Sequence, residues 1–140
     1  MRVQSLILLR MIWALPCSLL GALLGLIVLI LGGSLRRVDH TLEFALRNDT
    51  PAVPRWAHRL GYEAITFGHV IIGQSHARLQ CLRLHERVHV RQYERWGALF
   101  LIAYPLSSLH AWWRGECPYR DNHFEIEAFA SESCAENPDG

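Results

Sequence analysis

The sequence predicts a mainly α-helical (α+β) protein: an N-terminal transmembrane helix, then a small domain with one short strand or tight hairpin and two helices that carry a site. Three observations predict it. Residues 11–33 contain no charge, and residues 64–72 are rich in β-branched and aromatic side chains. From residue 76 onward, apolar residues recur at helical spacing around His85-Glu86-Arg87-Val88-His89. The bulk composition excludes other classes. With 51% hydrophobic and 19% charged residues and a formal net charge of +1, the chain is neither a disordered tail nor a basic arm, and no nucleic-acid partner is expected.

The uncharged run is bounded by Arg10 on one side and Arg36-Arg37 on the other. As a helix it spans roughly 34 Å, enough for a hydrocarbon core of about 30 Å. It is longer than the apolar core of a cleaved signal peptide, about 7–15 residues, and Gly32-Gly33-Ser34 is a poor cleavage site. A retained membrane anchor over residues 1–35, in contact with lipid, is therefore expected. Arginines balance across its two flanks, so they assign no orientation. Gly21 and Gly25 form a G-x-x-x-G pair through which two anchors can approach as a homodimer.

Residues 36–63, with Pro51 and Pro54, are expected to form a connecting segment, followed by a domain over 64–134 and a polar tail over 135–140. The β-rich stretch closes at Gly73-Gln74-Ser75 as a strand or tight hairpin. A helix follows over His76–Trp96 and stops at Gly97. Residues 98–113 carry no formal charge but are short for a membrane span, which predicts a buried or interfacial helix kinked or divided at Pro105. The aromatic side chains of this region (Trp96, Phe100, Tyr104, Trp112, Trp113) suit a core or a lipid interface. After a turn at 115–119, Asp121 or Asn122 caps a last helix over 123–134. The four cysteines include no C-x-x-C pair, and Cys117 and Cys134 can bridge if the domain lies outside the cytoplasm.

The chemistry lies in His85-Glu86-Arg87-Val88-His89, an H-E-x-x-H motif. Positions four apart on a helix are separated by only ~40° around its axis, so two imidazoles converge on one metal ion. Glu86 sits beside that face, within reach of a water rather than of the metal. Leu82, Tyr93 and Trp96 share the histidine face, whereas Arg83, Arg87, Arg91 and Glu94 lie opposite as a solvated face. His69 and His76 are read as hydrogen-bonded structure near the cleft.

A catalytic zinc site takes three protein ligands and leaves one position open. Glu125-Ile126-Glu127-Ala128, on the last helix, offers the third. Here the sequence, over Ala64 to about Ala130, resembles the gluzincin branch of the zincin metallopeptidases. In that branch a second helix supplies a glutamate from an E-x-x-A-type motif. The resemblance implies a zincin-like domain in which zinc is held by His85, His89 and Glu125, with Ala128 allowing close helix approach. Phe129 stands where the family usually has an acid or amide, which leaves Glu127 as an alternative ligand.

The resemblance further implies peptide hydrolysis by metal-activated water, with Glu86 as general base and a peptide or protein as substrate. It also implies that an edge strand, here Ile65 to Ile71, pairs with the extended substrate. A donor to the oxyanion is expected from among Tyr119, His123, His110 and Arg120, which the sequence does not rank. Two other classes compete: a membrane-anchored, non-catalytic zinc-binding or interaction module, and a helical membrane module that binds no metal.

Overall fold

The structure, a computed structural model, describes residues 2–46 and 63–136, with side chains over 5–46 and 63–132. Helix α1 (Arg2–Ile30) leads into strands β1 (Ser34–Val38) and β2 (Thr41–Ala45). Strands β3 (Ala64–Phe67) and β4 (Val70–Gly73) follow, then α2 (His76–Trp96), a 3-10 turn (Gly97–Leu99), α3 (Phe100–Trp113) and α4 (His123–Glu136). The outcome is a mostly helical α+β fold with one four-stranded sheet in the order β1-β2-β4-β3.

The sheet is sandwiched between α1 and α2, and its two-residue side-chain period explains how. Phe44 and Val70, with Leu42 and Ile72 beside them, pack against Val28 of α1. Ala45 and Ile71 face the other way and pack against Leu79 and Val90 of α2. β1 and β2 form an antiparallel hairpin, β2 runs parallel to β4, and β3 and β4 form a second antiparallel hairpin.

This corrects the expectation of a connecting segment from residue 36. Its first part is a hairpin, turned at Asp39 with φ 52°. The paired arginines of β1 are exposed and read as a polar connection, but β2 is buried because helices cover both its faces. The remainder of that segment, with Pro51 and Pro54, lies outside the described residues. The hairpin expected over 64–72 is present.

Helix α1 is one helix long and apolar enough to cross a membrane, over Ser5–Ile30 with a mean hydropathy of 2.3. It also packs along the domain. Ala14 and Cys17 join a core cluster with Tyr93, Phe100 and Phe124. Ser18 Oγ accepts from the backbone N–H of His69 at 3.0 Å and lies 3.3 Å from its Nδ1, while His69 Nε2 lies 3.2 Å from Glu94 Oε1.

The glycines of the G-x-x-x-G pair meet the sheet. A Cβ on Gly21 would lie 2.7 Å from that of Val70, and one on Gly25 would lie 2.5 Å from the Phe44 ring. The face that this pair would offer to a second copy is thus covered within the chain.

Helix α2 starts and stops where the sequence indicates. Ser75 caps it by accepting from the backbone N–H of Arg78, and Gly97 ends it with φ 57°. Gly97 is needed for space as well, since a Cβ there would lie 2.6 Å from Trp13 Nε1. The face read as solvated is instead tethered. Arg83 makes a two-pronged ion pair with Glu43 of β2 at 3.0 and 3.1 Å, and Arg87 pairs with Asp39 in the β1–β2 turn.

Helix α3 runs through Pro105 undivided, and the break in the chain falls at the 3-10 turn before it. A proline in the second turn removes one backbone hydrogen bond, which neighbouring packing tolerates. Asn122, fully buried, caps α4 through Oδ1 to the N–H of Phe124 at 2.9 Å. Its Nδ2 donates to Tyr104 O and Ser108 Oγ of α3, so one side chain both starts α4 and ties it to α3. Cys17, Cys81 and Cys117 are free, and the side chain of Cys134 lies outside the described residues.

Candidate metal centre

His85 and His89 lie one turn apart on the face of α2 that meets α4, and both are buried. Their Nε2 atoms are 3.2 Å apart. Glu125, in the first turn of α4, brings Oε2 to 3.0 Å from His85 Nε2 and Oε1 to 3.3 Å from His89 Nε2. Glu127, the alternative, points elsewhere: it accepts from Gln92 Nε2 at 2.9 Å, lies 3.7 Å from Arg95, and is 42% exposed at its side chain. Two residues along a helix is ~200°, so only one of the two glutamates can face α2's histidines. Ala128, with no exposed surface, sits one turn after Glu125.

The three side chains fit a zinc ion. Zinc with nitrogen and oxygen ligands at about 2.0–2.1 Å places neighbouring tetrahedral ligands about 3.3–3.4 Å apart, close to the three separations here. Glu125 Oε2 is fully buried and makes no aligned hydrogen bond despite its proximity to His85 Nε2. Two donors that lie side by side without bonding each other are disposed to share a cation. Glu125, His85 and His89 form the one such ligand group among the described residues.

One imidazole is held from behind: His89 Nδ1 lies 2.8 Å from Gln92 Oε1, whereas His85 Nδ1 lies 2.9 Å from the partly exposed Glu132 Oε1 without an aligned hydrogen bond. The acceptor at His89 Nδ1 holds a proton there and turns Nε2 toward Glu125. The Phe129 ring packs edge-on to His85 at 4.9 Å, and Glu132, one turn further along α4, brings Oε1 to 2.9 Å from His85 Nδ1.

Glu86 is buried on the same helix and accepts from Thr66 Oγ1 of β3 at 2.6 Å. Burial raises its pKa, against the smaller opposing pull of His89, Thr66 and His85. Burial works in the same sense on Glu125, but the adjacent His85 and His89 imidazoles and the Tyr104 hydroxyl outweigh it and bring the carboxyl down to about 2. On His89, burial lowers the pKa and the Glu125 carboxylate more than offsets it, for a net rise. Two carboxyls on one site are thus driven in opposite directions.

The cluster opens on a cleft of about 220 Å³ between β3 and α3. Its walls include Ile65, Thr66 and Phe67 of β3, and Leu101, Tyr104 and Pro105 of α3. The edge strand expected over Ile65 to Ile71 is β3 alone, because β4 is interior, between β2 and β3. Of the four candidate oxyanion donors, Tyr119 lines the cleft. His110 packs on Trp113, and His123 packs on Phe124. His69 and His76 stay outside the cleft as hydrogen-bonded structure, the latter with Nε2 2.8 Å from Ser34 Oγ.

Four participants were not singled out from sequence: Thr66, Gln92, Tyr104 and Glu132. Tyr104 donates to Glu125 Oε1 at 2.5 Å. Only Gln92 left a signal, since it sits three residues after His89 on one helical face. The chain matches no protein-family model, no curated protein and no solved structure.

Proposed function

We propose that this chain is a membrane-anchored, zinc-dependent metallopeptidase of gluzincin type that hydrolyses peptide bonds. The observation that supports it is the buried convergence of His85, His89 and Glu125, with Glu86 beside them at the head of an open cleft. A zinc ion bound there supplies Lewis acidity and lowers the pKa of water toward about 7. Glu86 is the general base: it takes the proton of the attacking water and passes it to the leaving amine nitrogen. Thr66 fixes one oxygen of Glu86 and leaves the other for that proton. Tyr119, which lines the cleft, is the donor to the developing oxyanion in this reading, since the Tyr104 hydroxyl donates to Glu125. β3, the outermost strand of the sheet among the described residues, offers backbone groups to an extended peptide.

The deciding experiment pairs metal analysis with hydrolysis of a peptide library by the full chain in detergent. Wild type is expected to carry about one zinc per chain and cleave. Glu86→Gln keeps the zinc and loses at least about 100-fold in rate. His85→Ala loses the metal. Zinc retained in His85→Ala, or activity retained in Glu86→Gln, overturns the proposal. Zinc without hydrolysis in wild type favours a non-catalytic metal module.

A further inference from the structure

Helices α1 and α3 are built inside-out. In a water-soluble domain the polar side chains of a surface helix face outward. In α3 they face inward: Tyr104 bonds to Glu125, Ser107 accepts from the N–H of His123, and Ser108 accepts from Asn122. The outward side chains are Ile102, Leu106, Leu109, Trp112 and Trp113, each more than half exposed and Trp113 79% exposed. In α1 Ser18 likewise turns inward to His69, while Leu9, Ile12, Leu19 and Leu23 point out at about 60% exposure.

Trp13 of α1 sits against Gly97 in the 3-10 turn that leads into α3, so α1 is packed on the head of that helix. From Trp96 to Trp113 there is no formal charge, and Arg114 follows at once. His110, the single exposed polar side chain of α3, lies in its last turn with its ring 6.5 Å from that of Trp113. A helix whose polar groups are satisfied internally and whose outer face is hydrocarbon is stable against lipid and costly in water. Tryptophans followed by arginine are what a helix presents at the headgroup level.

We propose that the outer face of α3 lies in the bilayer surface as a second membrane contact beside α1, so that the domain is seated in the membrane rather than held above it. α3 is too short to cross, which leaves the interfacial position, with its apolar face about 5–10 Å below the headgroups. Leu101, Tyr104 and Pro105 of the same helix line the cleft, so the cleft mouth borders lipid.

The test uses the full chain in phosphatidylcholine–phosphatidylglycerol vesicles. Single cysteines at Ile102, Leu106 and Leu109, with Cys81, Cys117 and Cys134 changed to Ser and the buried Cys17 kept, carry a nitroxide. Collision with oxygen is expected to exceed collision with a water-soluble nickel chelate several-fold at all three sites, and the reverse is expected at Arg120→Cys. Preference for nickel at the three sites overturns the proposal. So does shielding from both reagents, which means a protein partner or a second copy covers the face. Brominated phosphatidylcholine checks the chain without introduced cysteines: it quenches a larger share of tryptophan emission in wild type than in W112F/W113F, and equal shares overturn the proposal. Neither readout involves metal or hydrolysis, so each stands apart from the peptidase reading.

Discussion

Gln92 Oε1 accepts from His89 Nδ1 at 2.8 Å, and the rest of the Gln92 amide fixes this orientation. Its Nε2 meets two groups that only accept, the carbonyl of Phe124 at 3.0 Å and the carboxylate of Glu127 at 2.9 Å. The amide nitrogen must therefore face α4 and the oxygen must face the imidazole. A proton is held on His89 Nδ1, and Nε2 faces Glu125 Oε1 at 3.3 Å. One fully buried side chain thus sets the tautomer of His89 and docks the helix that carries Glu125.

Removal of that link weakens the metal site without touching a ligand. Gln92→Leu is expected to lower zinc affinity about 10–100-fold, measured by competition with a chromophoric chelator. Gln92→Glu combined with Glu127→Gln, which keeps an acceptor on Nδ1 and replaces the facing carboxylate with an amide that can donate, recovers part of the loss. Unchanged affinity in Gln92→Leu shows that the tautomer is set elsewhere.

The third ligand can be read from a pair of isosteric changes. Glu125→Gln is expected to lose more than about 100-fold in zinc affinity, beyond the range of an outer-shell change. Glu127→Gln, at a half-exposed carboxylate that only accepts from Gln92, stays within about threefold. Zinc content after dialysis against a weak chelator separates the two.

Close packing of α1 on the sheet predicts a cost for a single methyl group. Gly25→Ala drives a Cβ into the Phe44 ring and is expected to destabilise the chain by about 1–3 kcal/mol, read as a lowered melting temperature in detergent. Leu23→Ala, on the outward face, changes it by less than about 0.5 kcal/mol. If Gly25→Ala changes oligomeric state and leaves melting untouched, the helix packs on a second copy instead.

Glu43 is the buried charge of the sheet, 1% exposed, and Arg83 is its counter-ion. Arg83→Met strands that carboxylate and is expected to cost about 2–3 kcal/mol, below the 3–5 kcal/mol of a fully buried pair because Arg83 is partly solvated. Arg83→Met with Glu43→Gln costs less than Arg83→Met alone. Additive losses show that the two residues do not interact.

Local rules placed much of this protein. Helix α2 could be bounded from Ser75 to Gly97 because capping chemistry and 3.6-residue periodicity are properties of adjacent residues. The His85–His89 pair was legible for the same reason, since a helix fixes how residues four apart meet. The β3–β4 hairpin was readable from its β-branched run. In contrast, β2 was missed because its burial comes from α1 and α2 on opposite faces, both distant in sequence.

The choice of Glu125 over Glu127 was open to sequence, because a helix start gives no rotation relative to another helix. That rotation is set by Asn122 on α3 and by Gln92 reaching across from α2. The G-x-x-x-G pair announces a close approach without naming the neighbour, and the sheet of the same chain takes that place. Sequence determined that His85 and His89 share a helix face and which segments are helical, since both follow from neighbours along the chain. Only tertiary structure decided which carboxylate joins the imidazoles and which way the apolar helices face, since both depend on surfaces that folding brings together.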